Sequence, residues 1–396
     1  MLFDVEKIKE QIEQIADAAT AFRRDLHMHP ELSEQEVLTE EKICSRLDTL
    51  QIPYQRGIAG HGVCAVIRGT TTNRTVGIRA DIDALPVTEQ TGLAYASQTP
   101  GVMHACGHDM HTAILLGTAA VLKQNADTLP GTVKLFFQPS EETIGGARQM
   151  IEAGCLEDPH TENVIALHVD PMTDCGKLKF TRGCMNAATT EMELIVRGKS
   201  CHGAHPDAGI DVLPPACSIV SALQTIISRN LAPTTPAVVT IGTFHSGTAS
   251  NVISGEARLS GTIRALDLDL MAYLKERVKT VAEDTARAYG ASCEVIFKDS
   301  YPPLKNSDEL AALLLPAMDE VFGHENVIRC ETPSLGADDF AYFTQACRGF
   351  YFDLGTHDPR SDEYFPLHSE HFAPQEEAIR VGILAELTAV YAILRG

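Results

Sequence analysis

One short segment of the chain brings a thiol, several imidazoles and a carboxylate within a few residues of one another. It reads Met103-His104-Ala105-Cys106-Gly107-His108-Asp109-Met110-His111. Groups of the same kinds recur further along, at Glu141, Glu142, His168 and His368. Thiolates, imidazoles and carboxylates bind divalent metals of the zinc class. We therefore expect these segments to build a metal site.

Cys106 and His108 are two residues apart, so both side chains lie on one side of an extended or turning segment. An isolated pair of this kind is more often a buried structural thiol beside a loop histidine. A redox-active or nucleophilic Cys106 with a histidine partner is a third alternative. The acids and histidines further along the chain favour the metal interpretation.

Glu141 and Glu142 are the second signal. Adjacent glutamates are usually a solvated pair, but these follow Phe136-Phe137-Gln138-Pro139, at the end of an apolar run. Two neighbouring carboxylates in such a place repel each other unless a cation holds them. A metal would hold one of them, and the other would be free to act as a general base on water activated by that metal.

The elements that must position these groups alternate between strand-like and helix-like patterns. The predicted strands are Thr75–Ala80, Thr132–Phe137 and Asn163–Leu167, and a helix is predicted over Thr112–Gln124. Such alternation predicts an α/β fold, with helices packed against a mainly parallel sheet.

Each predicted strand is followed by residues that can do chemistry. Asp81 and Asp83 follow the first strand, Glu141 and Glu142 the second, and His168 the third. Open α/β sheets place their functional sites beyond the carboxyl ends of the strands. We therefore expect these side chains to meet at one edge of the sheet.

The pattern changes between residues 184 and 299, where strands and helices follow the order β-α-β-β-α-β. The predicted strands are Thr189–Val196, Ala237–Phe244, Gly255–Ala265 and Cys293–Phe297, and the predicted helices are Asp211–Ser228 and 267–290. This order is the ferredoxin-like pattern. We expect an inserted domain over residues 184–299 and a catalytic domain formed by residues 1–183 and 300–396.

Chain length and composition limit the possible classes of function further. A chain of 396 residues is too long for one compact core, which favours two domains. Its net charge of -21 argues against nucleic acid as a partner. Eleven scattered cysteines predict a reducing compartment. The segment Met1–Ala21 looks like an amphipathic helix rather than a signal peptide, and no apolar run reaches the roughly 18 residues that span a bilayer. We expect a cytoplasmic protein that does not enter a membrane.

Several segments, taken in order, match a known family almost from end to end. They are Arg24–Ser33, Arg79–Pro86, His104–His111, Phe137–Glu142, Leu167-His168 and Gly198–Pro206. In these segments the chain resembles the aminoacylase/carboxypeptidase family of metallopeptidases, in its amidohydrolase branch. That branch includes N-acyl-amino-acid, hippurate and indoleacetyl-amino-acid amidohydrolases.

The resemblance implies a di-metal, aminopeptidase-like catalytic domain with an inserted ferredoxin-like domain that serves for dimerisation and as a lid. It implies a pair of divalent ions (zinc, manganese, cobalt or nickel) held by Cys106, His108, Glu142, His168 and His368. Glu141 would be the general base. The expected reaction is cleavage of the amide bond of an N-acyl-L-amino acid, with an acetyl, benzoyl or similar acyl group.

The resemblance also implies roles for residues of the inserted domain. His202 would reach into the site of a partner in a homodimer and stabilise the oxyanion. Asn251 and Arg264 match the positions that hold the substrate carboxylate, and the fork of an arginine suits a carboxylate. Without the resemblance, Arg264 would be interpreted as a strand-edge arginine in solvent.

Two motifs depart from the family pattern and bear on substrate identity. Gly336-Ala337-Asp338-Asp339-Phe340 has Asp338 where the family often has glutamate, and Ser369 is not followed by the common proline. His371 is expected to be a neighbour of the site rather than a ligand.

Three alternatives remain open. A dipeptidase or carboxypeptidase of the same family would share the metals and differ in the acyl side of its substrate. A zinc-dependent dehydrogenase would need a Gly-x-Gly-x-x-Gly segment after a strand, which the sequence lacks. A non-catalytic metal-binding protein would have no need of Glu141 beside a full set of ligands.

Overall fold

The computed structural model describes residues 3–71 and 73–395. The α-helices are α1 (Val5–Met28), α2 (Val37–Thr49), α3 (His108–Gln124), α4 (Gly146–Glu152), α5 (Leu213–Thr225), α6 (Leu268–Ala288), α7 (Asp308–Phe322), α8 (Ala341–Ala346) and α9 (Ala378–Arg395). Single turns of 3-10 or π-helix lie at Ala126–Thr128, Pro206–Ala208, Ile226–Asn230 and His324–Asn326. Among the described helices, none has both the length and the apolar content needed to cross a bilayer.

The strands of the described residues belong to two larger sheets and to short two-stranded pairings. In chain order they are β1 (Tyr54–Ile58), β2 (Gly62–Arg68), β3 (Thr75–Asp81), β4 (Thr132–Gln138), β5 (Asn163–Asp174), β6 (Leu178–Thr181), β7 (Cys184–Asn186), β8 (Ala188–Arg197), β9 (Cys201–His202), β10 (Ala237–Ser246), β11 (Val252–Ile253), β12 (Glu256–Ala265), β13 (Ser292–Asp299), β14 (Leu304–Lys305), β15 (Val327–Cys330) and β16 (Arg348–His357).

The chain divides into two compact units, each with its own apolar core. The first comprises Met1–Gly183, Lys305–Thr332 and Asp339–Gly396. The second comprises Cys184–Leu304 and Pro333–Asp338. The candidate metal ligands all belong to the first unit.

In the described residues, the first unit contains an eight-stranded sheet in the order β1-β2-β4-β3-β5-β16-β6-β15. Its centre is parallel, because β3 runs parallel to β4 and β5, and β5 runs parallel to β16. At one end β2 is antiparallel to both β1 and β4, and towards the other end β6 is antiparallel to β16. The carboxyl ends of the parallel strands therefore share one edge, which confirms the predicted α/β class.

The elements that lead to this edge are rigid. β3 and β4 are buried over their whole length, as expected for parallel strands covered on both faces. Helix α3 is buried from His108 to Leu122 and packs against α1 and α9. A helix that is apolar all round belongs in a core. Side chains at the ends of these elements are held firmly.

Two element ends differ from the sequence prediction in ways that bear on the site. α3 begins at His108 instead of Thr112, so His108 is the first helical residue. β5 continues to Asp174, so the prediction that the third strand ends before His168 is wrong. The physical reason is β16, which pairs with β5 beyond His168 and supplies partners for its backbone.

The predicted N-terminal helix is present but displaced along the sequence. It was expected over Met1–Ala21 and is observed as α1, which ends at Met28. Met1 and Leu2 lie outside the described residues. Asp4 begins the helix, because its side chain accepts a hydrogen bond from the backbone amide of Lys7 at 3.1 Å.

The second unit contains a four-stranded antiparallel sheet in the order β10-β12-β8-β13. Helices α5 and α6 pack against each other, and α6 also covers β8, β12 and β13. Asp267 begins α6, since its carboxylate accepts from the amide of Leu270 at 2.7 Å. With α5 after β8 and α6 between β12 and β13, the order confirms the predicted ferredoxin-like pattern.

Candidate metal centre

The chain turns sharply between Cys106 and His108, at Gly107. The φ of Gly107 is 83°, in the left-handed region that glycine adopts without steric cost. A Cβ atom on this residue would also lie 2.5 Å from Cγ2 of Val169, in the neighbouring strand β5. Both the positive φ and the close approach of Val169 therefore require glycine at this position. The turn lets Cys106 and His108 approach the same point.

The five predicted ligands come together at the carboxyl edge of the sheet. Sγ of Cys106 lies 3.4 Å from Nε2 of His168. Oε1 of Glu142 lies 3.3 Å from Nε2 of His368 and 4.0 Å from Nε2 of His108. Two sets have ligand atoms within 4.8 Å of one another, namely Cys106, His108 and His168, and Cys106, Glu142 and His368. Cys106 belongs to both sets.

Glu141 lies within the same group, and its side chain is buried. Its carboxylate forms a third close set with His108 and Glu142. The loop that carries His368 is tied to the cysteine segment, because the amide of His368 donates to the carbonyl oxygen of Ala105 at 2.8 Å. Residues far apart in sequence are thus held together by the backbone as well as by their side chains.

His108 has the orientation of a ligand. Its Nδ1 lies 3.0 Å from Oδ1 of Asp83, and its buried Nε2 has no hydrogen-bond partner among the described residues. Burial opposes a charged ring, but Asp81 and Asp83 outweigh it and raise the pKa of His108 to about 10. A carboxylate behind an imidazole fixes the ring and directs its other nitrogen at a cation. This arrangement fits a metal ion.

Cys106 points to the same conclusion. Burial, and then the negative charges of Glu142 and Glu141, raise the pKa of its thiol well above the usual value. A divalent cation reverses this effect, because it stabilises the thiolate and both carboxylates. Thiolate, imidazole and carboxylate together are a suitable donor set for zinc and similar ions.

His111 supports the site from behind. Its Nε2 accepts a hydrogen bond from the amide of Val169 at 3.0 Å, and its Nδ1 lies 2.5 Å from Oδ1 of Asp81. Asp81 also binds Nη1 of Arg79 at 2.5 Å. Burial opposes the charge of Asp81, but Arg79 and the two histidines hold the pKa of this carboxyl well below its usual range.

Asp339 joins three elements below the same edge. Its carboxylate accepts from Nη2 of Arg79 at 2.8 Å, from Nε2 of Gln138 at 2.7 Å and from the amide of Ala147 at 2.9 Å. These donors belong to β3, β4 and the first turn of α4. Asp339 belongs to a motif that differs from the family pattern at the preceding residue, and these hydrogen bonds tie that motif to the sheet and to α4.

Of the three residues predicted to act from the second unit, His202 and Asn251 lie close together. Val252 of β11 pairs with His202 of β9, and the amide of Gly203 donates to the carbonyl oxygen of Asn251 at 2.8 Å. Exposed His202 accepts from the amide of Ala204 through Nδ1 at 3.0 Å. While Nδ1 accepts this bond, the proton of the ring lies on Nε2. Nη1 of Arg264, on β12, donates to the carbonyl oxygen of Leu335 at 2.7 Å.

The comparison with known families decides what kind of protein this is. Residues 77–391 match the model of Peptidase family M20/M25/M40. The chain belongs to this peptidase family. The result confirms the predicted family and makes the protein a hydrolase of amide bonds.

Relatives within the family cover almost all of the chain. Thermostable carboxypeptidase 1 of Saccharolobus solfataricus is 37% identical over 385 residues, with 96% of each chain covered. N-acetyldiaminopimelate deacetylase of Streptococcus pneumoniae is 38% identical over 372 residues, covering 92% of this chain and 95% of that protein. The crystal structure of a dinuclear metal-binding peptidase of family M20 from Bacillus subtilis is 33% identical. It has a TM-score of 0.84 and covers 97% of this chain and 99% of its own.

A second buried network of this M20 protein lies beside the predicted metal ligands. Nε of Arg23 is 2.6 Å from Asp109, the residue after His108. His27 lies with Nδ1 2.9 Å from Asp109 and Nε2 3.3 Å from Glu89. Both ring nitrogens of His27 thus face carboxylates. Burial opposes its charge, but Asp109 and Glu89 raise the pKa of His27.

Sequence reasoning missed the residues that support the ligands. The sequence predicts Asp81 and Asp83 only as ligand-type residues that meet the others at the sheet edge, and it predicts no role for His111 or Arg23. The available signal was their place in or next to segments that match the family, which contain more polar groups than five ligands require. Nδ1 of His371 lies 3.1 Å from the carbonyl oxygen of Gln90, and His371 belongs to none of the close ligand sets of the described residues.

Proposed function

We propose that this protein hydrolyses N-acyl-L-amino acids to a carboxylic acid and a free amino acid with the help of two divalent ions. The observation that carries the proposal is the convergence of five metal-binding side chains with Glu141 at one edge of the sheet. The N-acetyldiaminopimelate deacetylase relative supports an acylated amino acid as substrate. The dinuclear relative supports a pair of ions.

The residues that would hold the ions are Cys106, His108, Glu142, His168 and His368. When bound, divalent ions lower the pKa of a coordinated water and polarise a carbonyl group, which is the chemistry that amide hydrolysis requires. Zinc, manganese, cobalt and nickel all suit this mixed donor set, and availability decides among them.

Glu141 is the proposed general base. Its carboxylate takes a proton from the attacking water and passes it to the nitrogen of the leaving amine. Its neighbour Glu142 faces His368 and Cys106, so we assign metal binding to Glu142 and the proton transfer to Glu141. In this proposal Glu141 transfers the proton and Glu142 binds metal.

The second unit supplies the proposed oxyanion donor and the carboxylate-binding groups. Because Nδ1 of His202 accepts a backbone hydrogen bond, its Nε2–H is available to donate to the acyl oxygen as negative charge develops there. Asn251 and Arg264 are proposed to bind the substrate carboxylate. We further propose that the second unit forms a homodimer and a lid, and that the protein acts in the cytoplasm.

A carboxypeptidase or dipeptidase activity is the second candidate. The observation that favours it is the relative from Saccharolobus solfataricus, which is a carboxypeptidase. Both candidates use the same metal centre and the same base, and they differ in the group on the acyl side of the amide.

The decisive experiment purifies the protein without chelator, measures bound metal, and follows amine release from N-acetyl amino acids, N-benzoyl amino acids and dipeptides. We expect about two ions per chain and release that a chelator abolishes. Preference for dipeptides would establish the second candidate. No metal and no release after reconstitution would refute the proposal.

A further inference from the structure

Ser140, the residue before Glu141, has a backbone conformation that L-residues rarely adopt. Its φ is 57°, in the left-handed region where a Cβ atom is crowded by the backbone. Such a residue keeps this conformation only when its surroundings enforce it, and strain of this kind is concentrated at functional sites. What holds Ser140 therefore also holds the direction in which Glu141 leaves the strand.

Glu36 makes two of the hydrogen bonds that stabilise this conformation of Ser140. Its Oε1 accepts from the amide of Ser140 at 2.8 Å and from the hydroxyl of Ser140 at 3.2 Å. The hydroxyl in turn accepts from the amide of Glu34 at 2.9 Å. On the other side, the carbonyl oxygen of Ser140 accepts from the amides of Gly145 and Gly146 at 3.1 and 3.3 Å. The polar groups of Ser140 are thus all bonded.

The side chain of Glu36 neither belongs to a candidate ligand set nor caps a helix. It is fully buried, and its carboxylate belongs to none of the close ligand sets found in the described residues. It stands at the start of α2 without capping that helix through its side chain. Burial of a carboxylate is costly unless its hydrogen bonds are useful, and Oε1 of Glu36 accepts from both the amide and the hydroxyl of the strained Ser140.

Glu142 is held separately. Its amide donates to Oδ2 of Asp83 at 3.0 Å, and the same oxygen accepts from the hydroxyl of Ser33 at 2.7 Å. Removal of Glu36 would therefore release the residue before the base, while the anchor of the ligand Glu142 remains.

We propose that Glu36 is a positioning residue for the general base, and that it acts on Glu141 through the left-handed turn at Ser140. The inference rests on the proposed function, since Glu141 is a base only if the protein hydrolyses an amide.

The first test compares Glu36→Ala, Glu36→Gln and the matched control Glu41→Ala, which alters an exposed glutamate of α2. In Glu36→Ala we expect kcat to fall by about 10- to 100-fold, as a misplaced group commonly costs, while KM and bound metal stay near wild type. Glu36→Gln should retain most activity, because its amide oxygen can accept both bonds. Equal kcat in Glu36→Ala and Glu41→Ala would overturn the proposal.

A second measurement does not depend on turnover. Hydrogen–deuterium exchange of peptides covering residues 138–145 should be faster in Glu36→Ala than in wild type, Glu36→Gln or Glu41→Ala. Unchanged exchange there would refute the positioning role even if kcat falls. If wild-type protein cleaves none of the substrates, the proposed function fails, and the exchange experiment still decides whether Glu36 holds the turn.

Ser140→Ala provides a variant that leaves the buried carboxylate in place, in case Glu36→Ala does not fold. It removes the hydroxyl bonds to Glu36 and Glu34 and keeps the crowded Cβ, so exchange over residues 138–145 should rise and kcat should fall less than in Glu36→Ala. Ser140→Gly should instead tolerate loss of Glu36, since glycine adopts this φ freely. A Glu36→Ala/Ser140→Gly protein no more active than Glu36→Ala would count against the proposal.

Discussion

The amide of Val169 donates a hydrogen bond to Nε2 of His111 at 3.0 Å. A backbone amide can only donate, so Nε2 must carry a lone pair and the proton of the ring must lie on Nδ1, facing Asp81. His111 therefore belongs to the support of the site and cannot also use Nε2 to bind a metal. It fixes the backbone directly after His168.

Replacement of His111 by alanine should weaken metal binding without removing a ligand. Residues behind metal ligands commonly contribute about 10- to 100-fold in affinity, and we expect a loss of that size from His111→Ala. Competition with a chromogenic chelator measures it. His160→Ala, which changes an exposed histidine bonded to Glu157, is the control, and an equal affinity in both variants would contradict the assigned role.

Glu141→Gln should keep its metal and lose turnover. The amide has the size of the carboxylate but cannot accept the proton of water, and general base catalysis is typically worth about 10²- to 10⁴-fold. Metal analysis and single-turnover kinetics on the same preparation separate the two properties. Retained activity would show that another group is the base.

His202→Ala should lower kcat by about 10²- to 10³-fold, the usual effect of removing one oxyanion donor. Metal content should stay at the wild-type value. His205→Ala is the natural control, because His205 follows His202 by three residues and its ring centre lies 5.6 Å from that of His202. Loss of metal in the His202 variant would make it a ligand and would overturn its proposed role.

Glu386 predicts a pH dependence of stability. It is 1% exposed on α9, and Oγ1 of Thr118 donates to its Oε2 at 2.6 Å. Burial raises its pKa from 4.5 to about 8, with Thr118 opposing the change.

Because the folded state holds this proton more tightly, the unfolded state ionises first as the pH rises above 4.5. Stability should therefore fall by up to about 1.4 kcal/mol per pH unit between the two pKa values and level off above the higher one. Glu386→Gln, which cannot ionise, should flatten this decline in urea unfolding measured at pH 5 and pH 8. Glu10→Gln, at an exposed position of α1, should leave it unchanged.

Local sequence patterns predict the bounds of those strands whose own residues favour a buried strand. β3 and β4 end within one residue of prediction because they are short runs of mostly β-branched, aliphatic and aromatic residues, which favour a buried strand. The prediction made β5 too short because its continuation beyond Leu167 depends on β16, whose paired residue Asp353 lies 185 residues after His168 in the chain. No local pattern encodes such a partner.

In the candidate site, too, some residues are recognisable from the local sequence and others only from contacts between distant segments. Cys106 and Glu142 stand out by residue type and place, and the resemblance added His368, which alone would have meant little. Glu36, His111 and Asp83 act by contacts between distant segments, such as the 106 residues that separate Glu34 from Ser140. Their residue types are compatible with an ordinary surface, and only the fold distinguishes them.

The continuation of β5 through His168 gives the two ligand sets of the proposed metal centre backbones of different stiffness. Cys106 belongs to both ligand sets. Of the others, His108 and His168 stand at a helix start and in a strand interior, whereas Glu142 and His368 stand on turns. The side chain of His368 is 53% exposed. An ion held by the stiffer set should dissociate slowly, and one held by the softer set should leave first. Chelation should then proceed in two kinetic phases through a long-lived form with a single ion, and that form should rebind its second ion without refolding.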